Sequence, residues 1–200
     1  MERLTRVVGP VSTNVHILAD ERSREAIAID TATPSLAWVA DELAARDWTL
    51  KLIVSTHNHW DHIGDNAAVV DATGAEIAVH PLDRDGLLRP RPLFAPFPIP
   101  PSVPAVDLAE GGEIRFGEIR LRVLHTPGHT PGSVCLQSDD HGLLSQVLND
   151  RRTASAELRR LAPGVLVSGL GADEVLTVLR EAGYAPAGEN PGGAVLTRPA

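Results

Sequence analysis

The run "TLKLIVST" at 49–56 leads directly into "HNHWDHIGD", and this junction constrains the fold more than any other stretch. A short apolar run bounded by polar residues has the character of a buried strand. The histidines therefore leave the end of a strand, where α/β sheets usually hold ligands. His57 and His59 are two apart, so in extended chain their side chains point the same way. With a helix starting near His59, His59 and His62 are three apart on one face, and Asp61 sits beside them. Three imidazoles and a carboxylate within six residues, in a chain of only eight histidines, repel one another when protonated. As neutral imidazoles with a carboxylate they form a donor set for zinc and similar divalent metals. A solvated, histidine-rich loop explains the crowding poorly, because the preceding strand is apolar.

A second stretch, "HTPGHTPGS" at 125–133, can supply one more donor. Gly128 and Gly132 permit tight turns while Pro127 and Pro131 stiffen the loop, a rigid way to present His129. His125 is read as structural or as a support behind the ligands.

The flanking sequence alternates strand and helix signals. "RVVG", "NVHILAD" and "EAIAID" read as strands, the last two joined by a polar turn at Glu21–Arg24. "PSLAWVADELAAR" has helical spacing, "GDNAAVVDATG" suits a helix ended by Gly74, and "AEIAVH" suits a strand. Seven prolines in 89–104 forbid helix and most sheet pairing. That segment is either a stiff connector or an apolar flap carrying Leu93, Phe94 and Phe97. Beyond it, "GGEIRFGEIRLRVLHT" reads as a hairpin turning at Gly117. "SVCLQS" and "GLLSQVL" read as a second hairpin around Asp139–Gly142, and "TASAELRRLA" as a short helix. "GVLVSG" and "ADEVLTVLREAG" read as a strand and an amphipathic helix.

Composition bounds the function classes. A 200-residue chain, 43% hydrophobic, can bury a proper core. A net charge of −8 argues against nucleic acid as a partner. Cys135 is alone, so neither a disulfide framework nor a cysteine zinc site is expected. With no signal-peptide pattern at the start and no apolar run long enough to span a bilayer, the expectation is a cytoplasmic protein that binds no membrane. Its partner is a small-molecule substrate, and its oligomeric state is open.

"HNHWDH" followed by "HTPGHTPGS", with "VSTNVHIL", "AIAIDTA" and "LKLIVSTH" upstream, resembles the metallo-β-lactamase superfamily in its glyoxalase II-like and lactonase-like branch. The resemblance covers most of the chain. It implies an α/β (α+β) fold, an αββα sandwich, with 1–200 as a single domain whose halves, 1–88 and 105–200, are joined by 89–104. It also implies that His57, His59 and His129 are first-metal ligands and that Asp61 and His62 are ligands of a second metal.

Two expected second-metal ligands are missing. Gln146 stands where a Gly-Asp should end a strand, and Leu170 stands where a late histidine is expected. Asp150, Asn149, His80 and His141 are the candidate substitutes. Three histidines and one water already complete a tetrahedral catalytic site. The expected function is thus a metal-dependent hydrolase whose metal-bound hydroxide attacks an ester, thioester or lactone carbonyl. One tightly bound ion is expected, zinc or another divalent metal such as iron, manganese or nickel. Asp61 and His62 would be its catalytic residues. The alternatives are a degenerate, non-catalytic metal- or ligand-binding member, or a single-metal lyase or cyclase.

Overall fold

The computed structural model describes residues 1–91, 95–138, 141–162, 165–184, 186, 188–189 and 195–196. They fall into two compact units, Met1–Ser138 and Asp139–Ala200.

The first unit opens with strands β1 (Glu2–Val8), β2 (Thr13–Asp20) and β3 (Glu25–Ile29), paired antiparallel. Helix α1 (Leu36–Arg46) follows, buries Val39 and Leu43, and stops at Asp47 in the left-handed conformation. Its first turn is capped from a distance, because the Asp65 carboxylate accepts from the Ser35 and Leu36 amides. Strand β4 (Thr49–Val54) then lies parallel to β3. The short helix α2 (Trp60–Ile63) and helix α3 (Asn66–Thr73) lead to β5 (Glu76–Val79), parallel to β4. Gly74 ends α3 with a left-handed φ of 72°, as its sequence position suggested. A 3-10 turn (Pro81–Asp83) and helix α4 (Arg84–Leu88) precede β6 (Val106–Asp107), which completes a six-stranded sheet in the order β1 to β6.

Strands β7 (Glu113–Phe116), β8 (Ile119–His125) and β9 (Val134–Ser138) form a separate three-stranded antiparallel sheet. Alternation decides its faces: Ile114, Phe116, Leu121 and Val123 are buried, while the arginines between them are exposed. These apolar residues pack with Leu18, Ile27, Val54 and Ala78 of the large sheet. On the opposite face of the large sheet, Ile17, Ile53 and Ile77 pack with Val39, Leu43 and Val69 from the helices. Each fully buried side chain of this size contributes about 1.5–3 kcal/mol. The layers are thus helices, large sheet and small sheet, with the C-terminal ends of β3, β4 and β5 side by side at one edge.

The proline-rich segment lies within the first unit. Its described part holds no helix or strand, yet Ile99 is buried, and the Ser102 amide donates to the Leu87 carbonyl at 2.9 Å. Phe97 meets Trp60 edge to face, with ring centroids 5.9 Å apart. Leu93 and Phe94, the other two proposed flap residues, lie outside the described residues.

The second unit corrects two expectations. Residues 141–149 form helix α5 (His141–Asn149), not the returning strand of a hairpin. Leu144, Val147 and Leu148 recur at helical spacing, and a short apolar run does not separate strand from helix by itself; Val147 is buried. Asp139 and Asp140, read as part of the hairpin turn, lie outside the described residues. "TASAELRRLA" is not one helix. Residues Arg151–Ala156 make a 3-10 turn that the Asp150 side chain caps. The chain then reverses through a left-handed Glu157 into β10 (Arg159–Ala162), paired with β11 (Val165–Val167). Helix α6 (Ala172–Glu181) and the short pair β12 (Gly188–Glu189) and β13 (Val195–Leu196) follow. No helix among the described residues is long and apolar enough to cross a membrane.

Candidate metal centre

The site begins where β3 and β4 end. Asp30, immediately after β3, has a left-handed φ of 56°. Its carboxylate accepts from the Thr56 amide at 2.8 Å and from the Thr56 hydroxyl at 2.7 Å. That fixes the chain just before His57. The Thr56 hydroxyl has one proton, and a carboxylate can only accept it. The contact of 3.1 Å between Thr56 Oγ1 and His57 Nδ1 is therefore donated by the imidazole. His57 Nε2 is left with a bare lone pair, buried and without a hydrogen-bond partner. A buried acceptor left unpaired is costly, and an ion would supply its partner.

His59 ends the extended stretch at the start of α2, and its Nδ1 lies 2.8 Å from His129 Nε2. His129 sits on a loop pinned by backbone bonds from the Thr126 amide to the Ser133 carbonyl and from the Gly128 amide to the Thr130 carbonyl. The Val134 amide donates to the Thr56 carbonyl and so ties β9 to the end of β4. The donor atoms of His57, His59 and His129 all lie within 4.8 Å of one another. No other group of three such side chains occurs among the described residues. Burial, with His62 nearby, pulls the His57 pKa down to about 3. Burial and the neighbouring His129 also lower that of His59. Both rings therefore stay neutral and able to donate lone pairs at physiological pH, so the three residues fit a divalent ion.

Asp61 and His62 stand beside this triad. His62 Nδ1 bonds Asp30 Oδ2 at 2.9 Å, and its ring centroid is 4.0 Å from that of His57. Burial opposes a charged His62, but the hydrogen bond and charge of Asp30, with Asp61, outweigh it and raise the pKa. Asp61 Oδ2 accepts from the Thr13 hydroxyl at 3.1 Å and lies 3.4 Å from His62 Nε2. Asp30 and Thr13 were not picked out from the sequence. A carboxylate placed directly after the apolar run "AIAI" was the available signal for Asp30; Thr13 gave none.

Three of the candidate substitutes have partners of their own. His80 stacks on His125 with centroids 4.0 Å apart and planes 8° apart, and its Nδ1 accepts from the Leu82 amide. His125 Nε2 donates to the Pro131 carbonyl. Asp150 accepts from Arg152 and from the Tyr184 hydroxyl, and the Asn149 side chain donates to the Ser145 carbonyl. The side chain of His141 lies outside the described residues. Gln146 is exposed on α5, so the strand end that was expected to carry a Gly-Asp there does not exist.

The metallo-beta-lactamase superfamily profile matches residues 8–145. An uncharacterized protein of Aquifex aeolicus is 34% identical over 142 residues, covering 68% of this chain and 65% of that protein. A hydroxyacylglutathione hydrolase of Cereibacter sphaeroides is 35% identical over 129 residues, covering 64% of this chain and 44% of the hydrolase. The chain thus spans less than two thirds of the length of these curated relatives. The BLEG-1 B3 metallo-beta-lactamase superposes with a TM-score of 0.62 at 30% identity, covering 68% of this chain and 67% of the other. Gln146 and Leu170 both fall beyond the residues that the superfamily profile matches. The matched stretch contains both histidine segments, strands β2 to β9 of the two packed sheets and the strand-end edge that gathers the donors, and the chain belongs to the metallo-beta-lactamase superfamily.

Proposed function

We propose that the protein is a metal-dependent hydrolase that opens an ester, thioester or lactone carbonyl at one divalent ion held by His57, His59 and His129. The single observation that carries this reading is the buried, unpaired Nε2 of His57, a residue grouped within metal-binding distance of His59 and His129. Zinc suits three imidazoles and an open position; iron, manganese and nickel also accept imidazole. When bound, such an ion lowers the pKa of water and polarises a carbonyl.

The protein's own residues would do the remainder. Asp61, fixed by Thr13, would orient the attacking water and accept its proton. His62, fixed by Asp30, would present its Nε2 to the developing oxyanion or to the leaving group. Thr56 and Asp30 would hold His57 in the tautomer that offers Nε2. Hydroxyacylglutathiones come first among the substrates to test, because relatives are named for hydrolysing them.

A second reading, a member that binds a metal or ligand without turnover, has one observation in its favour. The stretch from 146 onward, where further ligands were expected, lies outside the family match. Metal analysis of the purified protein, with a screen of hydroxyacylglutathiones, lactones and aryl esters, separates the two. Turnover that a chelator abolishes and zinc restores supports the hydrolase. Bound metal without turnover of any of these substrates supports the binding member.

A further inference from the structure

All three triad histidines lie next to residues gripped by one short turn. Asp83, at the end of the 3-10 turn after β5, is fully buried. Its Oδ2 accepts from the Asn58 amide at 3.1 Å and from the Thr130 hydroxyl at 2.6 Å. Its Oδ1 accepts from the Gly132 amide at 2.9 Å. Asn58 lies between His57 and His59, and Thr130 follows His129. One carboxylate therefore bridges the loop that carries two of the histidines and the loop that carries the third, 47 and 49 residues apart from Thr130 and Gly132 along the chain.

The packing around the bridge leaves little freedom. A Cβ on Gly132 would lie 2.7–2.8 Å from three atoms of Asp83, so only glycine lets that loop approach. Three residues after Asp83, a Cβ on Gly86 would lie 2.6 Å from the Asn58 side chain. Asn58 is thus held by its amide and boxed by its side chain. Ser133 continues the network, with its hydroxyl 2.8 Å from that of Thr130. Since Thr130 gives its one hydroxyl proton to Asp83, Ser133 must be the donor in that contact.

We infer that Asp83 is a positioning residue: it sets the separation of the two histidine loops, and through it the affinity and geometry of the metal centre. Both oxygens are occupied by protein donors, and Asp83 is not one of the three grouped donors. The inference rests on the metal-centre reading given above. Groups that hydrogen-bond a metal ligand directly typically change metal affinity by about 10- to 100-fold; Asp83 acts through the residues next to the ligands, so that range is the upper scale of its effect.

The chemistry at the bridge makes Asp83→Asn informative. An amide offers one oxygen where the carboxylate offers two. Whichever way it turns, its NH2 group meets either the Asn58 or the Gly132 N–H. The test is zinc(II) affinity by chelator competition and the visible spectrum of the cobalt(II)-loaded protein, both taken well below the unfolding temperature. Asp83→Asn should weaken zinc(II) binding, by at most about 10- to 100-fold, and shift the cobalt(II) bands. Thr130→Val should move both in the same direction by less, and Thr130→Ser, which keeps the hydroxyl, should restore them. A residue that only supported folding would lower the melting temperature and leave the spectrum of the folded protein unchanged. Should Asp83→Asn fail to fold, the Thr130→Val and Thr130→Ser pair decides: equal affinities and spectra overturn the inference. Unchanged affinity and spectrum in a folded Asp83→Asn overturn it too, while metal binding that is lost in His129→Ala leaves the centre itself standing. An unmodified protein that binds neither ion overturns both.

Discussion

The two units are built on different terms. In the first, a six-stranded sheet is packed on both faces, and Ile17, Ile27, Ile53 and Ile77 are essentially inaccessible. In the second, the described strands pair only in twos, β10 is exposed along its length, and α6 buries none of its own residues despite its amphipathic pattern. Hydrophobic periodicity is equally readable in both, so pattern alone did not tell a rigid frame from a thin one. The difference lies in long-range pairing. Parallel strands β3, β4 and β5 line up their ends, and that alignment places Asp30, His57 and Asp83 at a common edge. A site needing donors within a few ångströms of one another is best served by such a frame.

The comparison can be broken at several points. The largest effect should come from His129→Ala, which removes a triad donor from an exposed loop and leaves both cores untouched. Tight metal binding and activity should be lost together while the circular dichroism spectrum is retained. Full metal content in that variant would remove His129 from the centre. Next, Asp61→Asn should lower kcat by about 10²- to 10⁴-fold, the range of a general base, with the metal content kept. Retained kcat would move the proton transfer elsewhere.

Stability should separate the units as well. Ile53→Ala, at the middle of the large sheet, should cost about 2–5 kcal/mol in urea unfolding. Leu179→Ala on the half-buried face of α6 should cost under about 1 kcal/mol, in line with partly exposed sites. Equal losses would show the second unit to be as well packed as the first.

A smaller effect concerns pH in the metal-free protein. His57 has a folded pKa of about 3 against an ordinary 6.5. Between those values the unfolded chain binds the proton and the folded chain does not, so stability falls as pH drops through 6.5 towards 3. His62 acts with the opposite sign, because its raised pKa favours the fold below 6.5 and loses that contribution as pH rises through the raised value. Replacing His57 by Gln should therefore flatten the loss of melting temperature between pH 7 and pH 5. An unchanged slope would place His57 in water, not in the core.

Much of the first unit was legible from sequence. Alternation gave the β7–β8 hairpin, Gly74 gave the end of α3, and the apolar run before "HNHWDH" put the donors at a strand end. The supports were not legible, because they join residues far apart. Thr13 meets Asp61 across 48 positions and Thr130 meets Asp83 across 47, and no local pattern marks either pair. In the second unit the error had a different cause. "GLLSQVL" was short enough to suit strand or helix, and the turn residues around Asp139–Gly142 favoured a hairpin; the family resemblance then placed a ligand position at Gln146 on a strand end the chain does not form.

The central proposal is that His57, His59 and His129 of the first unit hold one ion tightly and that no second ion is held as tightly. Zinc titration of the metal-stripped protein tests it most directly. The expected result is one tight site per chain; two tight sites of similar affinity would contradict it.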